Sequence, residues 1–316
     1  MKTNLKKQKI LVGILAALGC EFLYGYSFIF TKSVSDDISV MTLLGWRFMT
    51  AFIVLNLFVL FGVVKINLRG KRLTPLLILA LFDPILYYFC ETIGIQYTTA
   101  SESGIIIALI PITTILCTIL ILKEKPTRFQ VTGIMVAMAG VLIIVLYKGM
   151  QTSLNVLGYL FLFAAVLSFS LYSVFARKAP QFTDIEKTWF MICSGALFFG
   201  SGALIENREN LRALFELPFV HREFLYAILY LGLGASILAF FFSNIMISRL
   251  GTNRSASFSA LSTLISVIAG VTVLHESLSI WQVMGMILIL GGVYLANQEE
   301  PARDLNYQKQ QEPENV

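Results

Sequence analysis

The feature that most constrains this chain is a succession of ten apolar segments, each about long enough to cross the ~30 Å core of a bilayer as a helix. The segments lie near residues 10–31, 40–63, 74–95, 102–122, 129–147, 156–176, 187–205, 224–247, 254–274 and 280–297. Charged residues make up only 14% of the chain, against roughly 25% in an average soluble domain. We therefore predict an all-α integral membrane protein with ten transmembrane helices.

The positions of Lys and Arg predict the orientation, because short cytoplasmic loops carry the excess of these residues. With the N-terminus inside, 18 of the 24 Lys and Arg residues lie in the inner segments, five lie in the outer segments, and Arg47 lies within a span. Both termini are thus predicted to be cytoplasmic in a multi-pass protein of the cell membrane. Residues 1–9 form the N-terminal segment, and the polar residues 299–316 are expected to be a disordered tail.

Two parts of the sequence repeat at a constant offset of 152. The segment LKEKPTRFQVTGIMVAMAGV at 122–141 aligns with LHESLSIWQVMGMILILGGV at 274–293. The identical pairs include Gln130 with Gln282, Gly133 with Gly285, and Gly140 with Gly292. The start of each half agrees at an offset of 145, where Gly13 aligns with Gly158. We predict two five-helix repeats, at residues 10–148 and 149–298.

Because each repeat has an odd number of spans, the second repeat should enter the membrane from the opposite side. Inverted repeats of this kind are common among secondary transporters, whose substrate site lies near the membrane midplane between the halves. Each half can then adopt the conformation of the other, so that outward-open and inward-open states have similar free energies. A ligand needs only to bias that balance.

Charged residues inside the spans indicate where such a site lies, because a charge near the bilayer centre is costly and usually functional. By position along the spans, Glu21 and Asp83 lie near the midplane. Arg47, Glu91 and Glu102 lie nearer the outer surface. All five belong to the first half, which predicts a single site.

The acidic residues share helix faces with tyrosines. Asp83, Tyr87 and Glu91 recur at intervals of four on the third span, and Tyr24 lies close to Glu21 on the first. A carboxylate among aromatic side chains in a low dielectric can exchange a proton near neutral pH. We therefore predict that Glu21 and Asp83 bind a proton or a substrate amine, that Glu91 contributes to the same site, and that Tyr24 and Tyr87 shape it.

On the second span, Trp46 is predicted to shape the pocket and Arg47 to orient a substrate carboxylate. For a single arginine, a buried structural ion pair is the commoner role, so both interpretations of Arg47 stay open. Glu91 and Glu102 could also extend to the outer interface. Glu124 and Glu276 lie at helix junctions, where capping is the commoner role, and the neighbouring His275 is expected in a solvated loop.

Several other classes of function lack support in the sequence. The four cysteines lie inside apolar runs without the spacing of metal ligands or of a disulfide framework. No nucleotide-binding loop occurs, and the basic residues form short loops instead of a continuous face. We expect a small-molecule substrate and a lipid bilayer as partners, with no cofactor, metal, enzymatic activity or nucleic acid. Both a monomer and a homodimer stay open.

The sequence resembles the drug/metabolite transporter superfamily, and within it the EamA-type ten-helix transporters. The resemblance rests on FLYGYSFIFTK at 22–32, WRF at 46–48, IQYTTASESGIIIALIPI at 95–112, and the two repeated blocks. It implies a carrier of small metabolites, often an exporter of amino acids or related compounds. Asp83 and Pro84 stand where the family more often has a small residue.

Two alternatives to a transporter of polar metabolites stay open. One is a flippase for a lipid-linked intermediate, as some relatives in the superfamily suggest. The other is a membrane-embedded enzyme such as a prenyl-group transferase. That chemistry usually needs carboxylate clusters that hold Mg²⁺, and the adjacent pair Asp36 and Asp37 has no second cluster.

Overall fold

The computed structural model describes residues 2–34, 38–98, 103, 106–147, 155–273 and 279–298. Within these ranges the regular secondary structure is helical, and we number the helices α1 to α12. They are α1 Lys2–Lys32, α2 Val40–Leu60, α3 Thr74–Tyr97, α4 Ile110–Leu122, α5 Arg128–Tyr147, α6 Val156–Arg177, α7 Asp184–Glu206, α8 Leu211–Val220, α9 Arg222–Leu250, α10 Thr252–Phe258, α11 Ala260–Val273 and α12 Ile280–Ala296.

In the described part of the chain, seven helices are long and apolar enough to cross a membrane: α1, α2, α3, α5, α6, α7 and α9. They coincide with seven of the ten predicted spans. The shorter apolar helices α4 and α12 occupy the predicted spans 102–122 and 280–297. The predicted span 254–274 is divided between α10 and α11, with a break at Ser259. The all-helical, multi-pass prediction is confirmed at this level.

Two described details differ from the pattern of apolar spans. Ser103 and residues 106–107 are helical, a turn follows at 108–109, and helix α4 begins at Ile110, where Pro111 occupies a first-turn position that tolerates its missing N–H. Helix α8 is an additional element between α7 and α9. At ten residues it is too short to cross a bilayer, so a search for apolar spans does not find it.

From Leu11 to Phe22 the exposed face of α1 is apolar. Its exposed stripe, with the 4, 3 and 4 residue spacing of one helix face, consists of Leu11, Leu15, Leu18 and Phe22. Glu21 lies outside this stripe and is only 4% exposed. The carboxylate in the first span therefore faces the bundle interior and not lipid.

Helices α5 and α12 pack with their backbones in direct contact. A β-carbon added at Gly133 would lie 2.5 Å from the carbonyl oxygen of Gly292, and one added at Gly292 would lie 2.5 Å from that of Gly133. Gly140 and Gly285 form a second reciprocal contact of this kind. Because the order of contacts is opposite along the two helices, they run antiparallel, and small residues permit their close approach.

The repeated glutamines have a structural role at the start of these two helices. Gln130 accepts a hydrogen bond from the backbone N–H of Thr127, whose hydroxyl accepts from the N–H of Gln130. Ser279 and Gln282 form the same reciprocal capping box at α12. The two glutamines therefore recur in the sequence because each satisfies N–H groups that a helix start leaves free.

Two transmembrane helices contain an irregular segment at a similar place in each predicted repeat. In α3, Asp83 has an extended backbone (φ −144°, ψ 117°) and Pro84 follows it. In α9, the segment Tyr230–Leu238 is π-helical. Irregular backbone at membrane depth is tolerated where protein surrounds it, so these segments identify the protein-enclosed centre of the bundle.

The α5–α12 contact predicts contrasting effects for two adjacent glycines. Gly292→Ala places a β-carbon against the backbone of α5 and should destabilise the protein by about 1–3 kcal/mol. Gly291→Ala is the matched control, because a β-carbon there meets nothing within 4 Å. Thermal unfolding in detergent, followed by size-exclusion chromatography, measures both. Equal melting temperatures for the two variants would contradict the contact.

Candidate functional site

The interruption of α3 places a buried carboxylate at the centre of the bundle. Asp83 is 1% exposed, and its Oδ1 atom has no hydrogen-bond partner. Arg47 and Glu91 act on it electrostatically, with opposite signs. An unsatisfied buried polar group costs roughly 1–3 kcal/mol, and more when it is charged. Such a group is therefore expected where a ligand or a proton supplies the missing partner.

Arg47 is buried on α2 and is held mainly by α9. Its Nε atom donates to the hydroxyl of Ser236 at 2.9 Å, and its Nη2 atom donates to the carbonyl of Ala235 at 3.3 Å. The same Nη2 donates to the hydroxyl of Tyr88 at 3.0 Å, and the guanidinium carbon lies 4.3 Å from the centre of that ring. Arg47 thus connects the first half to the π-helical segment of the second half.

The described carboxylates form no ion pair with Arg47. The structural ion pair that the sequence suggested is therefore absent in this part of the chain, and Glu102 lies outside the described residues. Neutral acceptors hold the guanidinium instead. Such a network fixes the position of the arginine without neutralising Asp83.

Tyrosines surround Asp83. The hydroxyl of Tyr87 donates to Oε1 of Glu91 at 2.7 Å, and the rings of Tyr87 and Tyr88 meet edge to face at 5.0 Å. Tyr24 from α1 lies close enough to Tyr88 and Asp83 for their charges to act on its hydroxyl. The charge of Asp83 also acts on the hydroxyl of Tyr172 from α6. We call this set the central cluster: Tyr24, Arg47, Asp83, Tyr87, Tyr88, Glu91 and Tyr172.

The structure brings five of the seven predicted site residues into the central cluster. Glu21 lies on the face of α1 that includes Gly25, where an added β-carbon would lie 2.6 Å from Ile265 of α11. Trp46 is also apart, because its indole N–H donates to the carbonyl of Leu214 in α8 at 3.2 Å. The midplane depth of Glu21 stays a prediction, and its position apart from Asp83 was not predicted.

The remaining acidic residues and the histidine do not reach the cluster in the described structure. Glu124 is exposed at the junction before α5. Glu276 and His275 lie outside the described residues. Their capping or loop roles stay predictions.

The second half contributes neutral polar groups that a search for charges does not find. Tyr172 donates from its hydroxyl to Ser243 at 3.2 Å and to Oδ1 of Asn244 at 3.4 Å. The amide of Asn244 in turn donates to the hydroxyl of Thr188. A polar residue within an apolar span, such as Asn244, is the sequence signal that could have identified this network.

Two crevices open at opposite ends of the bundle. One, of about 390 Å³, lies beside the start of α2 and the end of α3, lined by Ser39, Met41, Phe89, Gln96, Tyr97 and Glu206. The other, of about 300 Å³, lies beside the start of α7 and the end of α9, lined by Arg177, Thr183, Asp184, Lys187, Ser248 and Arg249. Asp83 lines neither crevice, so the central carboxylate is closed off from both.

Comparison with known proteins identifies the family of this chain and several similar transporters. The model of the EamA-like transporter family matches the chain twice, at residues 11–146 and 156–298. An uncharacterized transporter, YcxC of Bacillus subtilis (strain 168), is 34% identical over 90% of this chain and 92% of its own length. A probable amino-acid metabolite efflux pump of Salmonella typhimurium (strain LT2) is 25% identical over 55% of this chain and 60% of its own length.

A solved crystal structure has a similar fold. It superimposes with a TM-score of 0.72 at 19% sequence identity, covering 92% of this chain and 98% of that one. At this identity the likeness concerns the fold alone.

The environment of Arg47 predicts that Ser236→Ala destabilises the protein by about 1–3 kcal/mol, because the buried guanidinium loses an acceptor. Ser201→Ala is the control, since Ser201 is exposed and bonds only to the nearby carbonyl of Phe198. That change should stay within about 0.5 kcal/mol. Thermal unfolding of the two purified variants measures the difference, and an unchanged melting temperature for Ser236→Ala would refute the role of this contact.

Proposed function

Because the chain belongs to the EamA-like transporter family, we propose that it is a secondary transporter that exports a small polar metabolite bearing an amine, in exchange for protons. The observation that carries this proposal is the buried Oδ1 atom of Asp83, which has no hydrogen-bond partner and lies among tyrosines from both halves. The named relatives are transporters, which argues against a membrane-embedded enzyme.

The proposed arrangement is two inverted repeats, and the α5–α12 contact supports it. At the offset of 152, Gly133 corresponds to Gly285 and Gly140 corresponds to Gly292. The observed contacts are crossed, with Gly133 against Gly292 and Gly140 against Gly285. A two-fold axis that exchanges the halves converts one contact into the other. Since the helices are antiparallel, that axis is perpendicular to them and lies in the plane of the membrane.

A second pair of contacts supports the same symmetry. An added β-carbon at Gly158 would lie 2.6 Å from the side chain of Thr98, and one at Gly13 would lie 2.7 Å from that of Leu250. Gly158 follows Gly13 by 145 residues, and Leu250 follows Thr98 by 152. These are the two offsets of the internal repeat, and the family model also matches the chain in two parts.

The two crevices support alternating access between these halves. Ser39 and Tyr97 line one crevice, whereas Asp184 and Arg249, at offsets of 145 and 152, line the other. The crevices thus occupy equivalent positions in the two repeats, at opposite ends of the bundle. When each half adopts the conformation of the other, one crevice deepens toward the central cluster while the other closes.

The chemistry of the central cluster favours an ammonium group as the ligand. Asp83 offers a carboxylate, and the rings of Tyr24 and Tyr87 offer faces that attract a cation, whereas the guanidinium of Arg47 already lies over the ring of Tyr88. Arg47 is engaged by Ser236 and Tyr88 and forms no ion pair with Asp83. A proton and an amine would compete for the same carboxylate, so that proton entry drives amine release. Glu21, in a separate environment beside α11, is proposed as a second proton-binding group.

Export of an amino acid or a related amine is also consistent with the relatives. The relative from Salmonella is named an efflux pump for amino-acid metabolites. We propose the same direction and substrate class for this chain. The flippase alternative predicts instead that an amphiphilic lipid-linked compound is the ligand.

The proposal predicts that Asp83→Asn abolishes amine-dependent proton movement. A thermal-shift screen of amino acids and amines at two pH values first selects a ligand, since saturation at 100 times Kd stabilises a protein by about 2.7 kcal/mol. The selected amine is then loaded into proteoliposomes with a pH-sensitive dye. We expect at least a tenfold loss of proton flux for Asp83→Asn and for Glu21→Gln.

The matched control is Glu216→Gln, because Glu216 is an exposed acid paired with Arg212 on α8 and should leave the flux unchanged. Undiminished flux in Asp83→Asn would overturn the assignment of the carboxylate. Stabilisation by lipid-linked amphiphiles alone would favour the flippase instead.

A further inference from the structure

Helix α8 carries an apolar stripe that no other part of the described chain covers. Leu211, Phe215 and Phe219 follow one another at intervals of four, so they lie on one face of the helix. They are 41%, 55% and 81% exposed, and the adjacent Val220 is 67% exposed. This amphipathic helix therefore presents large apolar groups away from the bundle.

A neighbouring side of α8 is fixed to the protein. Leu214 and Pro218 are buried. The indole N–H of Trp46 donates to the carbonyl of Leu214, and the ring of Trp46 meets Phe215 edge to face at 6.4 Å. The direction of the apolar stripe is thus set by contacts with α2.

A third face of α8 is polar. Nε of Arg212 lies 2.7 Å from Oε1 of Glu216, and their side chains are 86% and 50% exposed. The helix consequently has one face on the protein, one apolar exposed face and one charged exposed face. This is the pattern of a helix that lies in the plane of a membrane surface.

We propose that α8 lies in the membrane–water interface, with Leu211, Phe215 and Phe219 inserted between lipid headgroups and acyl chains. The stripe is continuous with exposed apolar residues of the flanking transmembrane helices, since Ile205 at the end of α7 is 69% exposed and Tyr226 at the start of α9 is 63% exposed. The bilayer that surrounds α7 and α9 therefore extends to α8.

The size of the stripe favours lipid over a protein partner. Its three side chains expose on the order of 400 Å² together. A stable protein interface needs roughly 800 Å² per partner. Lipid requires no such minimum, because the stripe adds to a lipid-facing surface that already exists.

The corresponding connection in the first half is built differently. Residues 61–73 join α2 to α3 without a helix, and Glu186 of α7 holds them. Its carboxylate accepts from the N–H of Asn67 at 3.1 Å and from Nζ of Lys71 at 2.7 Å. The α2–α3 connection is thus held by contacts with the protein alone. The α7–α9 connection, which contains α8, is held by contacts with both the protein and the bilayer. Through its contact with Trp46, helix α8 holds the outer end of α2.

Photo-crosslinking in lipid nanodiscs tests this inference. The photoreactive benzoylphenylalanine is introduced at position 215 or, as the matched control, at position 216. The two side chains have similar exposure, 55% for Phe215 and 50% for Glu216, but lie about 100° apart around the helix axis. Both variants are used only if they elute as the unmodified protein does. Intact mass spectrometry then detects the adducts.

We expect a phospholipid adduct at position 215, at least fivefold more abundant than at position 216. Equal lipid adducts at both positions would overturn the inference, as would the absence of a lipid adduct at position 215. A protein–protein adduct at position 215 would show that a second copy covers the stripe instead. None of these outcomes depends on which substrate is transported.

Discussion

The rest of the structure depends on the direct backbone contact between α5 and α12. Glycine at each contact point removes the side chain that would hold the helices apart, and the cost of adding even a methyl group there makes the register specific. Gly133 and Gly292 therefore fix one half of the chain against the other. Because the contact is antiparallel and reciprocal, it also fixes the relation between the halves.

The irregular backbone and the functional chemistry coincide. Asp83 interrupts α3, and the π-helical segment of α9 lies where Arg47 donates to Ala235 and Ser236. A membrane protein tolerates such backbone only where it is enclosed by protein or lines a cavity. Arg47 satisfies groups of the irregular segment in α9, whereas Oδ1 of Asp83 stays without a partner. This difference separates a positioning residue from a candidate binding residue.

Much of the fold follows from the sequence, because long apolar segments predict membrane-spanning helices and spaced glycines predict close contacts between helices. The apolar segments predict the seven membrane-length helices, and the cost of a charge in lipid predicts that Asp83 and Arg47 are buried. The position of Glu21 apart from the central cluster could not be predicted, since helix periodicity gives shared faces but not the neighbouring helix. Trp46 bonds to α8, a helix too short for the apolar-span pattern. The neutral partners from the second half carry no charge, so a search for buried charges did not find them.

The most direct test of the account is whether the two crevices change in opposite directions. Tyr97→Cys and Arg249→Cys place thiols in the two crevices, 152 residues apart; Cys20, Cys90 and Cys117 are buried, and the half-buried Cys193 is first replaced by alanine. The rate of maleimide labelling is measured in nanodiscs at constant pH, with and without the amine ligand. We predict that the ligand raises the rate at one position and lowers it at the other. Changes of the same sign at both positions, or no change at either, would contradict alternating access between inverted halves.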